Sequence, residues 1–110
     1  MTQAATDTAV SFDEIFRRAV IDGLQSVLGD TARVLSLYLD PAIALKKPDP
    51  YVQSLMKIIP VEDKVRGLVL AIALQLYQSL GLQLEEKGER KLSDYVNEAR
   101  QYHMRRTSLH

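Results

Sequence analysis

The segment Gly67–Leu74 constrains the fold more than any other part of the sequence, because it is apolar at every position. It lies within a predicted helix over about residues 61–80, which begins after Pro60 and ends at Gly81. A helix that is apolar all round has to be buried on every side. The sequence therefore predicts a central helix. Its faces are covered either by other helices of the same chain or, on one side, by a second copy of the chain.

Four further segments repeat their apolar residues with the helical period of about 3.6. They cover approximately residues 12–28, 31–39, 50–59 and 92–105. Ser11, Asp30 and Asp49 are each placed to cap the helix that follows, and Gly29 is placed to end the first helix in the left-handed conformation. The alternating pattern typical of strands does not occur. We therefore predict an all-α fold, a compact bundle of about five helices around a central hydrophobic helix at about 61–80.

The length of the chain, 110 residues, is common for one domain, which we place at residues 10–106. Residues 1–9 are small and polar, and residues 107–110 follow the last predicted helix, so both ends are predicted to be flexible. Residues 41–49 hold two prolines and two lysines around a short apolar insert and are predicted to form an ordered loop.

Charge and cysteine content narrow the function. Fourteen basic residues balance fourteen acidic ones, so strong non-specific binding to nucleic acid is not expected. The absence of cysteine excludes disulfides, thiolate catalysis and thiolate metal sites, and it is consistent with the cytosol. Residues 1–9 lack the features of a secretory signal, and the longest apolar run is far shorter than the roughly 20 residues that cross a bilayer. We therefore expect a cytoplasmic protein.

Motifs that carry chemistry are missing from the sequence. No nucleophile elbow, dinucleotide-binding loop, phosphate-binding loop or zinc-binding histidine pair occurs. His103 has no second histidine one helical turn away, and Asp94 and Glu98 are interpreted as acids that favour the start of a helix. The sequence thus predicts no catalytic residue, no metal and no cofactor, and a protein that is not an enzyme.

The supply of apolar residues predicts self-association. The central helix offers more apolar side chains than the other helices can cover, and Leu37, Leu39 and Leu45 are surplus to the predicted core. A two-fold dimer is the commonest way to close such a surface. We expect a symmetric dimer that buries more than about 1,000 Å² in total. Its candidate contact residues are Gly67, Ala71 and Leu74, of which the small residues Gly67 and Ala71 allow close approach of the backbones.

Three alternatives remain beside an interaction module. A small-molecule sensor would hold its ligand in an apolar pocket between helices, with polar groups supplied by Tyr38, Tyr51 and Tyr77. An accessory nucleic-acid binder would contact phosphate through three arginines near the C-terminal end, Arg100, Arg105 and Arg106. A membrane contact through the apolar and lysine residues of 42–47 is less favoured than folding of this segment onto the core.

Three segments resemble the corresponding parts of small all-helical output domains of archaeal signalling and regulatory proteins. These are Val20–Asp30 followed by Leu35–Leu39, Tyr51–Leu55, and Leu76–Leu82. The resemblance covers about residues 12–100 and implies a helical signalling module. Together with the missing catalytic motifs, it predicts a non-enzymatic interaction or signalling-output module that self-associates.

Overall fold

A computed structural model describes residues 11–85 and 90–108, and this part of the chain contains six α-helices and no strand. The helices are α1 (Phe12–Leu28), α2 (Thr31–Tyr38), α3 (Ala42–Lys46), α4 (Pro48–Ile58), α5 (Glu62–Leu80) and α6 (Leu92–Ser108). The prediction of a compact all-α fold is confirmed. The predicted flexible residues 1–9 and the last two residues of the predicted flexible C-terminus lie outside the described residues.

Helix α5 is the central element, since it packs against α1, α4 and α6. One side of it is fully buried and supplies a third of the core: Val65, Leu68, Val69, Ile72, Ala73, Leu76, Tyr77 and Leu80. The opposite side carries Gly67, Leu70 and Ala71, which are half-buried, and Leu74, which is exposed. Of the two alternatives that the sequence leaves open, complete cover by the chain's own helices is not seen among the described residues, where one face of α5 is partly exposed.

The closest helix contact joins α1 to α5 and depends on Gly23. A Cβ atom at this position would lie 2.7 Å from the Cα of Ile72 and 2.8 Å from its backbone nitrogen. No side chain fits there, so the absence of a Cβ sets the distance between the two helix backbones. The helices run antiparallel: Phe12, at the start of α1, and Leu80, at the end of α5, both contact the second half of α6.

Local capping signals predict three helix ends correctly. The hydroxyl of Ser11 accepts a hydrogen bond of 3.2 Å from the amide of Glu14 at the start of α1. Gly81 ends α5 in the left-handed conformation, with φ 74° and ψ 19°. Gly29 ends α1 at positive φ as well, but its ψ of −134° places it outside the left-handed helical region that the sequence predicts.

Two predicted caps and the predicted loop are wrong. Asp30 has helical dihedral angles and its side chain caps nothing, because a cap residue needs an extended backbone. Asp49 lies inside α4, which begins at Pro48, and its carboxylate accepts hydrogen bonds from the amide and the hydroxyl of Ser93 in α6. The predicted loop at 41–49 contains α3, whose Ala44 is completely buried.

The three surplus leucines have different surroundings. Leu37 is exposed on α2, as the supply argument predicts, whereas Leu39 is buried in the core and Leu45 is half-buried against it. Leu39 follows the last residue of α2, where the extended backbone turns its side chain inward. Of these three leucines, only the one within α2, Leu37, is exposed.

Candidate functional site

The two most exposed large apolar side chains of the described residues, Leu37 and Tyr38, are neighbours on α2. Leu37 is 81% exposed and Tyr38 79%, and Val34, which lies one turn earlier, is 51% exposed. Positions i, i+3 and i+4 share one face of a helix, so the three side chains form one patch, here called the α2 surface. It exposes on the order of a few hundred Å², which is the size of the largest apolar patch on a typical soluble monomer, and such a patch is often functional.

The other face of α2 explains why this patch points outward. Ala32 and Leu35 are buried and dock the helix onto the rest of the core, and α1 is its main neighbour. The hydroxyl of Ser36 donates a hydrogen bond of 3.0 Å to the carbonyl of Ala32, so it is satisfied within the helix. Because α2 is only eight residues long, the two buried residues fix which side chains remain outside.

Opposite charges stand on either side of the α2 surface. Arg33 and Asp40 are both exposed. Arg33 forms no side-chain hydrogen bond or ion pair with any residue in the described ranges. The Oδ1 atom of Asp40 accepts a hydrogen bond of 3.0 Å from the amide of Ala42. Between these two charges the surface carries no ionised group.

The predicted dimer contact residues lie together on the open face of α5. A Cβ atom added to Gly67 would meet nothing within 4 Å. Ala71 is half-buried, and Leu74 is 42% exposed. These positions, spaced by four and three residues, follow one stripe of the helix. The structure thus brings the three residues together, and their contact with a second copy stays a prediction.

The three tyrosines predicted to line a ligand pocket are not brought together. Tyr38 is on the outer side of α2, whereas Tyr51 and Tyr77 are buried. The hydroxyl of Tyr51 is inaccessible and has no hydrogen-bond partner among the residues that the structure describes. Burial, followed by the negative charge of Asp40, raises the pKa of Tyr51 to about 12.

Tyr77 belongs to a polar cluster between α5 and α6 that the sequence does not predict. Its hydroxyl donates a short hydrogen bond to the Glu98 carboxylate. That carboxylate lies 3.6 Å from the Arg90 guanidinium, which in turn covers the ring of Tyr95 at 4.6 Å. Burial and then the hydrogen bond and charge of Glu98 raise the pKa of Tyr77 far above its ordinary value. The phenol therefore stays protonated at neutral pH and can donate to Glu98. The hydrogen bond connects α5 to α6.

Only part of this cluster has a signal in the sequence. Arg90, Asp94 and Glu98 are spaced by four residues, a spacing that places opposite charges on one helix face. The interpretation of Asp94 and Glu98 as ordinary early-turn acids misses the role of Glu98. Its partner Tyr77 comes from another helix, and no local pattern connects the two positions.

A groove of about 350 Å³ lies between α4, α5 and the residues at the start of α6. Its apolar wall is formed by Val52, Met56, Val65, Val69 and Leu92. The charged side chains at its edge come from Asp49, Glu62, Arg66, Arg90 and Lys91. None of the three predicted tyrosines lines this groove.

The predicted anion-binding arginines are engaged within the protein. Arg100 lies 3.9 Å from the Asp13 carboxylate and 4.7 Å above the ring of Phe12. Arg106 donates a hydrogen bond of 3.0 Å to the carbonyl of Leu80, and Arg105 also takes part in an interaction. These contacts tie α6 to α1 and α5, which is a structural use for the arginines.

Within residues 11–85 and 90–108, no group of three or more acidic or histidine side chains is placed to hold a metal ion. No helix in these ranges is long and apolar enough to cross a membrane. No protein-family model matches the chain, and searches of curated proteins and of solved structures give no match either. The α2 surface is therefore selected as the candidate site by its geometry alone.

Proposed function

We propose that this chain is a non-enzymatic protein-interaction module that self-associates. The observation that carries the proposal is the α2 surface, on which Val34, Leu37 and Tyr38 expose a contiguous apolar patch without an intervening charge. Burying such a patch against a partner removes apolar area from water, which is the main driving force of association. The open face of α5, with Gly67, Ala71 and Leu74, offers a second, less exposed apolar surface.

The signalling part of the proposal is supported by the resemblance of the helix pattern to archaeal output domains. Such a module passes a signal by changing its partner or its association state, so it needs a binding surface and no catalytic group. A cytoplasmic location fits this role. The exposed apolar surface supports a binding role. The Tyr77 cluster does not support a catalytic role, because its groups are already bonded to one another.

The test of self-association is the molar mass in solution measured by light scattering over a concentration series. A chain of 12.4 kDa that self-associates through an apolar surface should approach twice that mass in the micromolar range, and its mass should fall on dilution. A mass that stays at the monomer value at every concentration would contradict the proposal.

A small-molecule sensor is the second candidate, and the groove between α4 and α5 is the observation that favours it. Its volume of about 350 Å³ lies at the lower end of ligand sites, and its wall is apolar with charged groups at the edge. Native mass spectrometry of the purified protein tests this function. A reproducible adduct that disappears in Val69→Trp, which fills the groove, would support it, and an adduct unaffected by this change would exclude the groove.

A further inference from the structure

We propose that two copies of this chain pair through α2 in an antiparallel arrangement, with the two-fold axis between Ser36 and Leu37. This inference rests on the proposed function and specifies the partner, the surface and the geometry. Three features of the described residues lead to it: the exposure of the α2 surface, the opposite charges on its two sides, and the smaller apolar exposure of the open face of α5.

The exposure of the α2 surface makes it available to a second copy. Leu37 is the most exposed side chain on the outward face of α2 and lies near the end of the helix, with Val34 and Tyr38 beside it. An antiparallel pair places Val34 of one copy opposite Leu37 and Tyr38 of the other, and each Leu37 lies close to the axis. Each surface exposes only a few hundred Å², so the two together bury at most about 1,000 Å², which is in the range of weak, transient complexes. The dimer is accordingly weak and reversible, with dissociation in the micromolar range.

Charge complementarity then selects the antiparallel orientation. Arg33 lies three residues before Ser36, and Asp40, just beyond the end of α2, lies three residues after Leu37, so the two charges are equally far along the chain from the midpoint of the pair Ser36–Leu37. A two-fold axis at this midpoint brings Arg33 of each copy opposite Asp40 of the other, which gives two ion pairs at the rim. A parallel pairing would instead place Arg33 against Arg33 and Asp40 against Asp40. Like charges at an interface disfavour the wrong arrangement, so the rim charges determine orientation.

The same comparison disfavours the open face of α5 as the primary contact. Leu74 exposes about half the fraction that Leu37 does, and Ala71 is already half-buried within its own copy. Gly67 contributes no side chain to an interface. Less apolar area is therefore gained per residue when this face is covered. The α2 surface is the one that the isolated chain leaves most in contact with water.

Two matched variants test which surface forms the dimer. Leu37→Glu introduces a charge on the α2 surface, and Leu74→Glu introduces the same charge on the open face of α5. Both positions are exposed, and far-ultraviolet circular dichroism verifies that each variant keeps its helix content. Light scattering should show that Leu37→Glu weakens dimerisation at least about tenfold, whereas Leu74→Glu leaves it within about threefold of the wild type.

A charge exchange tests the orientation independently. Arg33→Asp creates two repulsive pairs with Asp40 of the other copy and should weaken the dimer. The double variant Arg33→Asp, Asp40→Arg restores two attractive pairs and should recover most of the wild-type affinity. Failure of the double variant to recover association, with helix content intact, would overturn the antiparallel geometry.

The outcomes separate this inference from the proposed function. A wild-type chain that remains monomeric contradicts both. A wild-type dimer that Leu74→Glu disrupts and Leu37→Glu does not leaves the proposed function standing and overturns the assignment to α2. Loss of the dimer in Leu37→Glu alone, combined with recovery in the charge-exchanged double variant, supports the inference.

Discussion

At the scale of single residues, two buried tyrosines show how one functional group can stabilise or destabilise the same fold. The hydroxyl of Tyr77 is bonded to Glu98 across the α5–α6 contact, whereas the hydroxyl of Tyr51 has no partner within the described part of the chain. A buried polar group without a partner loses its hydrogen bonds to water and receives nothing in exchange. The ring of Tyr51 fills space in the core, and its unpartnered hydroxyl lowers the stability of the fold.

Replacing each tyrosine by phenylalanine should consequently change stability in opposite directions. Tyr51→Phe removes an unsatisfied group and should raise the free energy of unfolding by about 1 kcal/mol, while Tyr77→Phe removes a charge-assisted hydrogen bond and should lower it by about 1–3 kcal/mol. Urea denaturation at pH 7 measures both. Equal losses in the two variants would show that the Tyr51 hydroxyl is satisfied after all.

The raised pKa of Tyr51 adds a pH dependence with a defined sign. Its ordinary pKa of 10 applies to the unfolded chain, and burial raises the pKa in the folded protein to about 12. The unfolded chain therefore loses its proton first, so titration of Tyr51 leaves the stability of the fold unchanged below pH 10 and lowers it as pH rises from 10 to 12. The alkaline loss of stability should be smaller in Tyr51→Phe than in the wild type, when both are followed by denaturation over this range.

At the scale of helices, two glycines have opposite surroundings, and only one of them lies in the contact between α1 and α5. Gly23 faces the backbone of Ile72 with no room for a Cβ, whereas Gly67 lies on the open face of the same α5 helix with nothing within 4 Å. Both residues are inside helices, where glycine costs about 0.5–1 kcal/mol relative to alanine. The contact with Ile72 outweighs that cost at Gly23, and no contact with the described residues offsets it at Gly67.

Alanine at the two positions makes a matched pair. Gly23→Ala should lower the free energy of unfolding by about 1–3 kcal/mol because α1 and α5 have to move apart. Gly67→Ala should raise it by up to about 1 kcal/mol through improved helix propensity. Thermal denaturation of both variants provides the comparison. A tolerated Gly23→Ala would show that the α1–α5 spacing is not set by this residue.

How much of the fold could be predicted from the sequence depends on how local each signal is. Ser11 and Gly81 mark helix ends correctly because the bonds involved reach only a few residues along the chain. Helix α3 could not be predicted, since five residues do not form a stable helix by propensity and its one fully buried residue, Ala44, depends on packing.

The candidate site was predicted even less completely, for the same reason. The supply argument correctly identifies Leu37 as surplus, but it treats Leu39 in the same way, and Leu39 is buried. Which apolar residues of a short helix remain outside depends on how that helix docks, and the docking of α2 is set by Ala32 and Leu35. The Tyr77–Glu98 bond joins positions 21 residues apart, beyond any periodic pattern.

At the scale of the whole molecule, the six helices of residues 11–85 and 90–108 bury one core, and this part of the chain still exposes apolar surface. The core reaches every described helix, and apart from the tyrosines, which carry a polar hydroxyl, no charged or polar side chain of the described residues is fully buried in it. Apolar surface therefore remains for an external partner, mainly on α2 and to a lesser extent on α5. In the proposed dimer, a second copy of the chain covers the α2 surface.

Cross-linking through a single introduced cysteine tests that claim most directly, since the chain contains no cysteine of its own. In the antiparallel pair the two copies of residue 37 lie beside the two-fold axis, so Leu37→Cys should form a covalent dimer rapidly under mild oxidation at micromolar concentration. Leu74→Cys on α5 and Met104→Cys on α6, both partly exposed, serve as matched controls and should cross-link slowly. Equal or faster cross-linking at residue 74 or 104, measured by non-reducing gel electrophoresis over time, would contradict pairing through α2.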